Sequence, residues 1–230
     1  MEFEQTLRYP TQNDAWKRTV LIGGLLIVIG VLIVPLFAVY GYLVRAIRDS
    51  LEGASTPPIF DDWRSLVVDG AQAWVISVLY LLVPALVAAV TVGGSITALA
   101  NGSGAATALG TGGLFIGVVV SGALALLSGY LAVVGIVNFA REERFGAAFD
   151  TQVIRSVAFD RGYAIPWVVS VGIAFLAGLI GAIPVVGWIL TPFASFYAAV
   201  VAANLWATGF EAAYDGSAEW IPPSEEEATA

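Results

Sequence analysis

Two arginine–aspartate pairs stand at one spacing in this chain: Arg64 with Asp69, and Arg155 with Asp160. The first lies in Arg64-Ser-Leu-Val-Val-Asp69, followed by Gly70 and Trp74. The second lies in Arg155-Ser-Val-Ala-Phe-Asp160, followed by Gly162 and Trp167. Their chemistry is recognition: charged groups that can hold a partner or reach headgroup phosphates. Catalysis has little to draw on. The chain has no cysteine and no histidine, which removes disulfides, thiolate nucleophiles, Cys/His zinc sites and histidine acid–base chemistry. The Gly-rich stretches lie in apolar runs and match neither a phosphate loop nor a dinucleotide fingerprint. No carboxylate pair has a supporting base. The expectation is no enzyme activity, no cofactor and no metal. A net charge of −8 argues against a nucleic-acid partner. Asn101-Gly102-Ser103 is the one N-x-Ser/Thr sequon, making Asn101 a candidate glycosylation acceptor.

The elements that must position these groups are set by composition. The 230 residues are 58% hydrophobic and 12% charged, against about 45–50% and 25% in a soluble domain. Three stretches carry no charge: Thr19–Val44, Gly70–Ala140 and Gly162–Phe210. A membrane-crossing helix needs about 20 apolar residues, so the expected fold is all-α, a polytopic transmembrane bundle. Gly93–Gly113, rich in turn formers, reads as an outer loop, and Ile183–Gly187 as a tight turn. Six helices in three hairpins result, at about 14–29, 31–48, 70–92, 113–140, 163–183 and 188–210. They make one transmembrane domain over 1–212, with an acidic, disordered tail over 213–230. A single tilted first span gives five instead.

The six-helix form places all ten basic residues, from Arg8 to Arg161, on one side. Cytoplasmic loops carry the Lys/Arg excess, so both termini are expected in the cytoplasm and the protein in the plasma membrane. The match between the two Arg–Asp segments reads as an internal repeat. Phe60, Trp63 and Val67, and Phe145, Phe149, Val153 and Val157, form apolar stripes. They predict interfacial amphipathic helices at about 60–69 and 144–158 on the cytoplasmic side. Small residues at every fourth position, from Gly113 to Gly129, from Ser170 to Ala182 and from Ala194 to Ala202, read as helix–helix contacts. No span holds an ionisable group. Asn138 and Asn204 are its most unusual polar residues.

The segment Tyr9-Pro10-Thr11…Trp16-Lys17…Ile22-Gly23-Gly24-Leu25-Leu26, with Gly41-Tyr42-Leu43-Val44-Arg45, Leu51-Glu52-Gly53 and Phe60-Asp61-Asp62-Trp63…Leu66…Asp69-Gly70, resembles an uncharacterised, largely archaeal membrane family, domain of unknown function 4013. The resemblance covers most of 5–212 and implies a multi-span protein; it carries over no functional residue. The acidic, lysine-poor composition is similar to that of proteins from salt-loving archaea. More distantly, the loop layout is similar to the membrane region attached to some glycerophosphodiester phosphodiesterases, whose catalytic domain has no counterpart here. The leading expectation is a non-enzymatic membrane scaffold or interaction protein. Its partners are the lipid bilayer and other membrane or cytoplasmic proteins, with Arg64, Asp69, Arg155 and Asp160 as a cytoplasmic surface. The alternative is a channel or facilitator for a small neutral solute.

Overall fold

Helix is the answer to a backbone that lipid cannot hydrogen-bond, and a computed structural model of the chain is helical throughout its ordered elements. It describes residues 3–29, 34–102 and 104–218. The helices are α1 (Phe3–Arg8), α2 (Trp16–Val28), α3 (Val34–Leu51), α4 (Trp63–Asn101), α5 (Gly104–Glu142), α6 (Thr151–Ala158), α7 (Arg161–Leu179) and α8 (Val186–Ala218). Among the described residues, four stretches are long and apolar enough to cross a membrane: Trp63–Ala100, Gly110–Glu142, Arg161–Ala182 and Val186–Tyr214. They fit a membrane protein. The first pair is different. α2 has 13 residues, about 20 Å at 1.5 Å each, which is short of a 30 Å hydrocarbon core.

Several boundaries differ from the sequence reading. Gly93–Gly113 is mostly helix, not loop. Its hydroxyls bond carbonyls one turn back, Ser95 to Thr91 at 2.7 Å and Thr97 to Gly93 at 2.9 Å, so they satisfy themselves within the helix. The separate interfacial helix expected over 60–69 is replaced by the opening turns of α4. Phe60 turns inward and stacks on Tyr42 at 4.5 Å, beside Phe196. The one helix expected over 144–158 is two pieces, a 3-10 turn Phe145–Phe149 and α6. Asp150 breaks it: its backbone is extended and its side chain caps α6 through the amides of Gln152 and Val153. That is the ordinary action of an N-cap aspartate. α8 runs on to Ala218, past the expected start of the tail; residues 219–230 lie outside the described ones, as do Gly30 and Ser103.

The chain divides into two compact units. One is Trp74–Val133, where α4 and α5 run side by side. Their approach is made by small residues: a Cβ added to Gly113 would meet Ser95, and one added to Gly117 would meet Thr91. The other unit is Met1–Ala73 with Val134–Ala230. Here α3 and α4 cross backbone to backbone. A Cβ on Gly41 would overlap the Leu66 carbonyl, and one on Gly70 would overlap the Phe37 carbonyl. Gly23 and Gly24 give the same closeness to the rings of Phe196 and Phe193 on α8.

The crossing yields a stability prediction. Gly70→Ala gains about 1 kcal/mol of helix propensity, but its methyl meets a carbonyl that cannot rotate away. Overpacking costs about 1–3 kcal/mol or more, so a net loss of about 1–2 kcal/mol is expected. Gly93→Ala, where a Cβ meets nothing within 4 Å, should be neutral or mildly stabilising. Thermal unfolding of the purified protein in one detergent compares the two.

Candidate functional site

The crossing of α3 and α4 sets the charges at one end of the larger unit. Phe37, Gly41, Arg45 and Arg48 follow one another at helical spacing of three or four, so they share a face of α3. With Gly41 pressed on Leu66, that face delivers both arginines to α4 and the segment before it. Arg45 pairs with Asp61. Arg48 pairs with Asp69 at 3.6 Å and with Glu143 at 3.0 Å, and its Nε donates to the Ala140 carbonyl at 3.3 Å. Its side chain is only 22% exposed. One guanidinium thus joins α3, the start of α4 and the end of α5. Desolvation pushes the neighbouring Asp49 carboxyl up from its usual range, and Glu52 pushes the same way against the pull of Arg45 and Arg48. Carboxylates crowd this end, and both arginines of α3 are committed to them.

A third arginine works at the end of α5. Arg141 bonds Glu142 at 2.9 Å and lies over the Tyr214 ring at 4.0 Å from its centroid, with Phe210 next. A guanidinium over an aromatic face is attracted by the ring quadrupole, which ties α5 to the last turns of α8. Arg144 bonds the other oxygen of Glu142 at 3.0 Å. Nearby, Asn138 is buried and donates from Nδ2 to the Ala147 carbonyl at 2.8 Å. Its Oδ1 has no hydrogen-bond partner among the described residues. On the opposite flank Asn204 Nδ2 donates to Ser50 Oγ, which in turn donates to Tyr9 Oη, both at 3.2 Å. Tyr9 is 3% exposed, so this chain fastens the N-terminal segment between α3 and α8.

The four residues singled out by spacing take different roles. Asp69 is half-buried and faces Arg48 rather than Arg64. Arg64 is exposed on the first turn of α4. Asp160 caps α7, accepting from the Gly162 amide at 2.6 Å. Arg155 is exposed on α6, beside Phe159, which is 86% exposed. Among the described residues neither Arg64 nor Arg155 makes an ion pair. The first pair therefore sits inside one continuous helix, whereas a helix break separates the members of the second. Asn101 is the last residue of α4. Spacing missed Arg48 and Glu143, whose partners are remote in the chain; the only local signal was a charge in the turn that ends an apolar stretch. Asn138 and Asn204 did carry a signal, as amides within apolar runs. Among the described residues, no group of three or more Asp or Glu could hold a metal.

The cluster generates a prediction. Arg48→Ala should lower stability by about 1–2 kcal/mol, between an exposed pair and a fully buried one. Arg64→Ala should stay within about 0.5 kcal/mol. Lys at position 48 should not restore the loss, because an ammonium lacks the planar fork that serves several acceptors at once. Chemical or thermal unfolding in detergent reads all three.

A family model described as "Protein of unknown function (DUF4013)" matches residues 22–186. No curated protein and no solved structure matches the chain.

Proposed function

The chain belongs to the DUF4013 family of proteins of unknown function, and on that premise we propose that it is a non-enzymatic integral membrane protein that holds other proteins at its polar end. The observation that carries this reading is the division of charge at that end. Arg45, Arg48 and Arg141 are spent on internal pairs, whereas Arg64 and Arg155 face outward. The inner pairs make a rigid base, and the outer arginines and Phe159 are among the groups a partner can touch. Aromatic residues and arginine are the types enriched where proteins meet. The concentration of Lys and Arg at this end supports a cytoplasmic, plasma-membrane orientation by the positive-inside rule. The two termini then lie on that side, with α2 and α3 as a pair that enters without crossing. Facilitation of a neutral solute is the weaker reading, since the cleft between α7 and α8 is almost wholly apolar.

Crosslinking in cells followed by capture of the protein tests the surface. Arg64→Glu and Arg155→Glu reverse these two exposed charges without touching the internal pairs. The expected outcome is loss of specific crosslinked species while the protein stays folded and in the membrane. An unchanged set of species would remove the outer arginines from any partner contact.

A further inference from the structure

α2 has an inner and an outer face. The inner face is pressed on α8: Thr19 is buried, and Gly23 and Gly24 lie against the rings of Phe196 and Phe193. The outer face is bare. Leu21 is 60% exposed, Leu25 50%, Val28 52% and Ile29 42%, at the three-, four- and seven-residue spacings that make one stripe of a helix. Lys17 and Arg18 stand at the head of that stripe, one turn before Leu21, and both are exposed. Among the described residues neither makes an ion pair. Asp14, the acid nearest them in sequence, is exposed and pairs with neither. Lys17 leans back over its neighbour Trp16, 5.7 Å from the ring centroid.

The polarity of this face changes along the helix axis, cations first and hydrocarbon after. A phospholipid in one leaflet has the same profile, with a phosphate that suits a guanidinium and an ammonium. The lengths agree. Arg18 to Val28 is about 15 Å at 1.5 Å per residue, which is half of a 30 Å hydrocarbon core, and α2 itself stops at Val28. The end of the helix therefore bounds the depth of the face. Other occupants fit less well. A second copy in the same membrane has the same orientation, so its own α2 face would bring another Lys17 and Arg18 to the same depth, where like charges repel. A zwitterionic headgroup carries its own cation, so two unpaired basic groups favour a headgroup of net negative charge. We infer that the outer face of α2 is a docking surface for one anionic phospholipid, its phosphate held by Lys17 and Arg18 and a chain laid along Leu21, Leu25 and Val28. This rests on the reading of α2 as a segment that enters the membrane without crossing it.

The test is native mass spectrometry of the full chain, taken from detergent holding equal amounts of phosphatidylglycerol and phosphatidylcholine with matched chains. The expected result is one phosphatidylglycerol retained through delipidation. Lys17→Gln with Arg18→Gln should cut that retention roughly 30-fold, or about fivefold per cation, whereas Arg64→Gln with Arg155→Gln leaves it unchanged. Equal retention in the unaltered chain and the Lys17/Arg18 variant, or no preference over phosphatidylcholine, overturns the inference. Displacement by glycerol phosphate, which has the anion and no chain, would make this a site for a soluble anion and overturn the docking surface. A two-chain particle that Leu25→Asn splits into single chains would make a second copy the occupant and overturn it too. Should the double variant not fold, phosphatidylglycerol with a photoreactive diazirine on one chain reads the same point in the unaltered protein. Labelling of residues 21–29 above that by the matched phosphatidylcholine probe supports the surface, and equal labelling overturns it. The premise fails separately. A cysteine placed at Gln12 that reacts with an impermeant maleimide in intact cells makes α2 part of a true crossing and overturns both readings; a protected Gln12 with no lipid preference overturns the docking surface alone.

Discussion

The organisation of the larger unit depends on the contact of two backbones at Gly41 and Gly70. Helices in lipid gain little from burying leucine against one another, so close approach through small residues is what associates them. At this crossing each glycine lies where any side chain would strike a carbonyl of the other helix. Its consequence is directional. Arg45 and Arg48 follow Gly41 at one and two turns, so fixing the glycine fixes where the guanidiniums arrive. Asp61, Asp69 and Glu143 stand at those points.

From this follows a separation of two kinds of charge. Inward pairs join α3, α4 and α5, and the Arg141 stack joins α5 to α8. The inner pairs are half-buried and partly screened, so each contributes modestly to stability; their larger effect is to fix the ends of the helices in register. The outward arginines are left on that fixed frame. A recognition surface needs such a base, because a partner gains most from groups already held in place. The cleft between α7 and α8 belongs to the same logic. Gly209 lets α8 approach Pro166 of α7, and small residues line the cleft beside it.

Much of this was legible in the sequence, for identifiable reasons. Charge-free stretches gave away the apolar helices, since nothing but lipid or a buried core tolerates runs of that length. The Ile183–Gly187 break was visible from Pro184 and Gly187. Gly93–Gly113 was misjudged because glycine, serine and threonine mark turns in water, whereas beside lipid their backbone stays helical and their hydroxyls fold back on it. The paired Arg–Asp spacing concealed a difference of role. Asp69 is inside a helix and meets a charge; Asp160 precedes a helix and its side chain meets the Gly162 amide. The Arg48 cluster was hidden because its partners lie 21 and 95 positions away in the chain, and only a three-dimensional crossing brings them together.

On the proposed reading, the arginine-rich end of the helices, with the N-terminal segment, lies on the cytoplasmic side, and the α4–α5 turn lies opposite. The chain lacks cysteine, so single cysteines at Gln12, Gly102 and Gly146 can be read one at a time with an impermeant maleimide on intact cells. The account predicts labelling at Gly102 alone, with Gln12 and Gly146 reacting only after the membrane is opened. Labelling at Gln12 in intact cells would make the first segment a true crossing. Labelling at Gly146 would place the Arg48 cluster outside and contradict the account at its root.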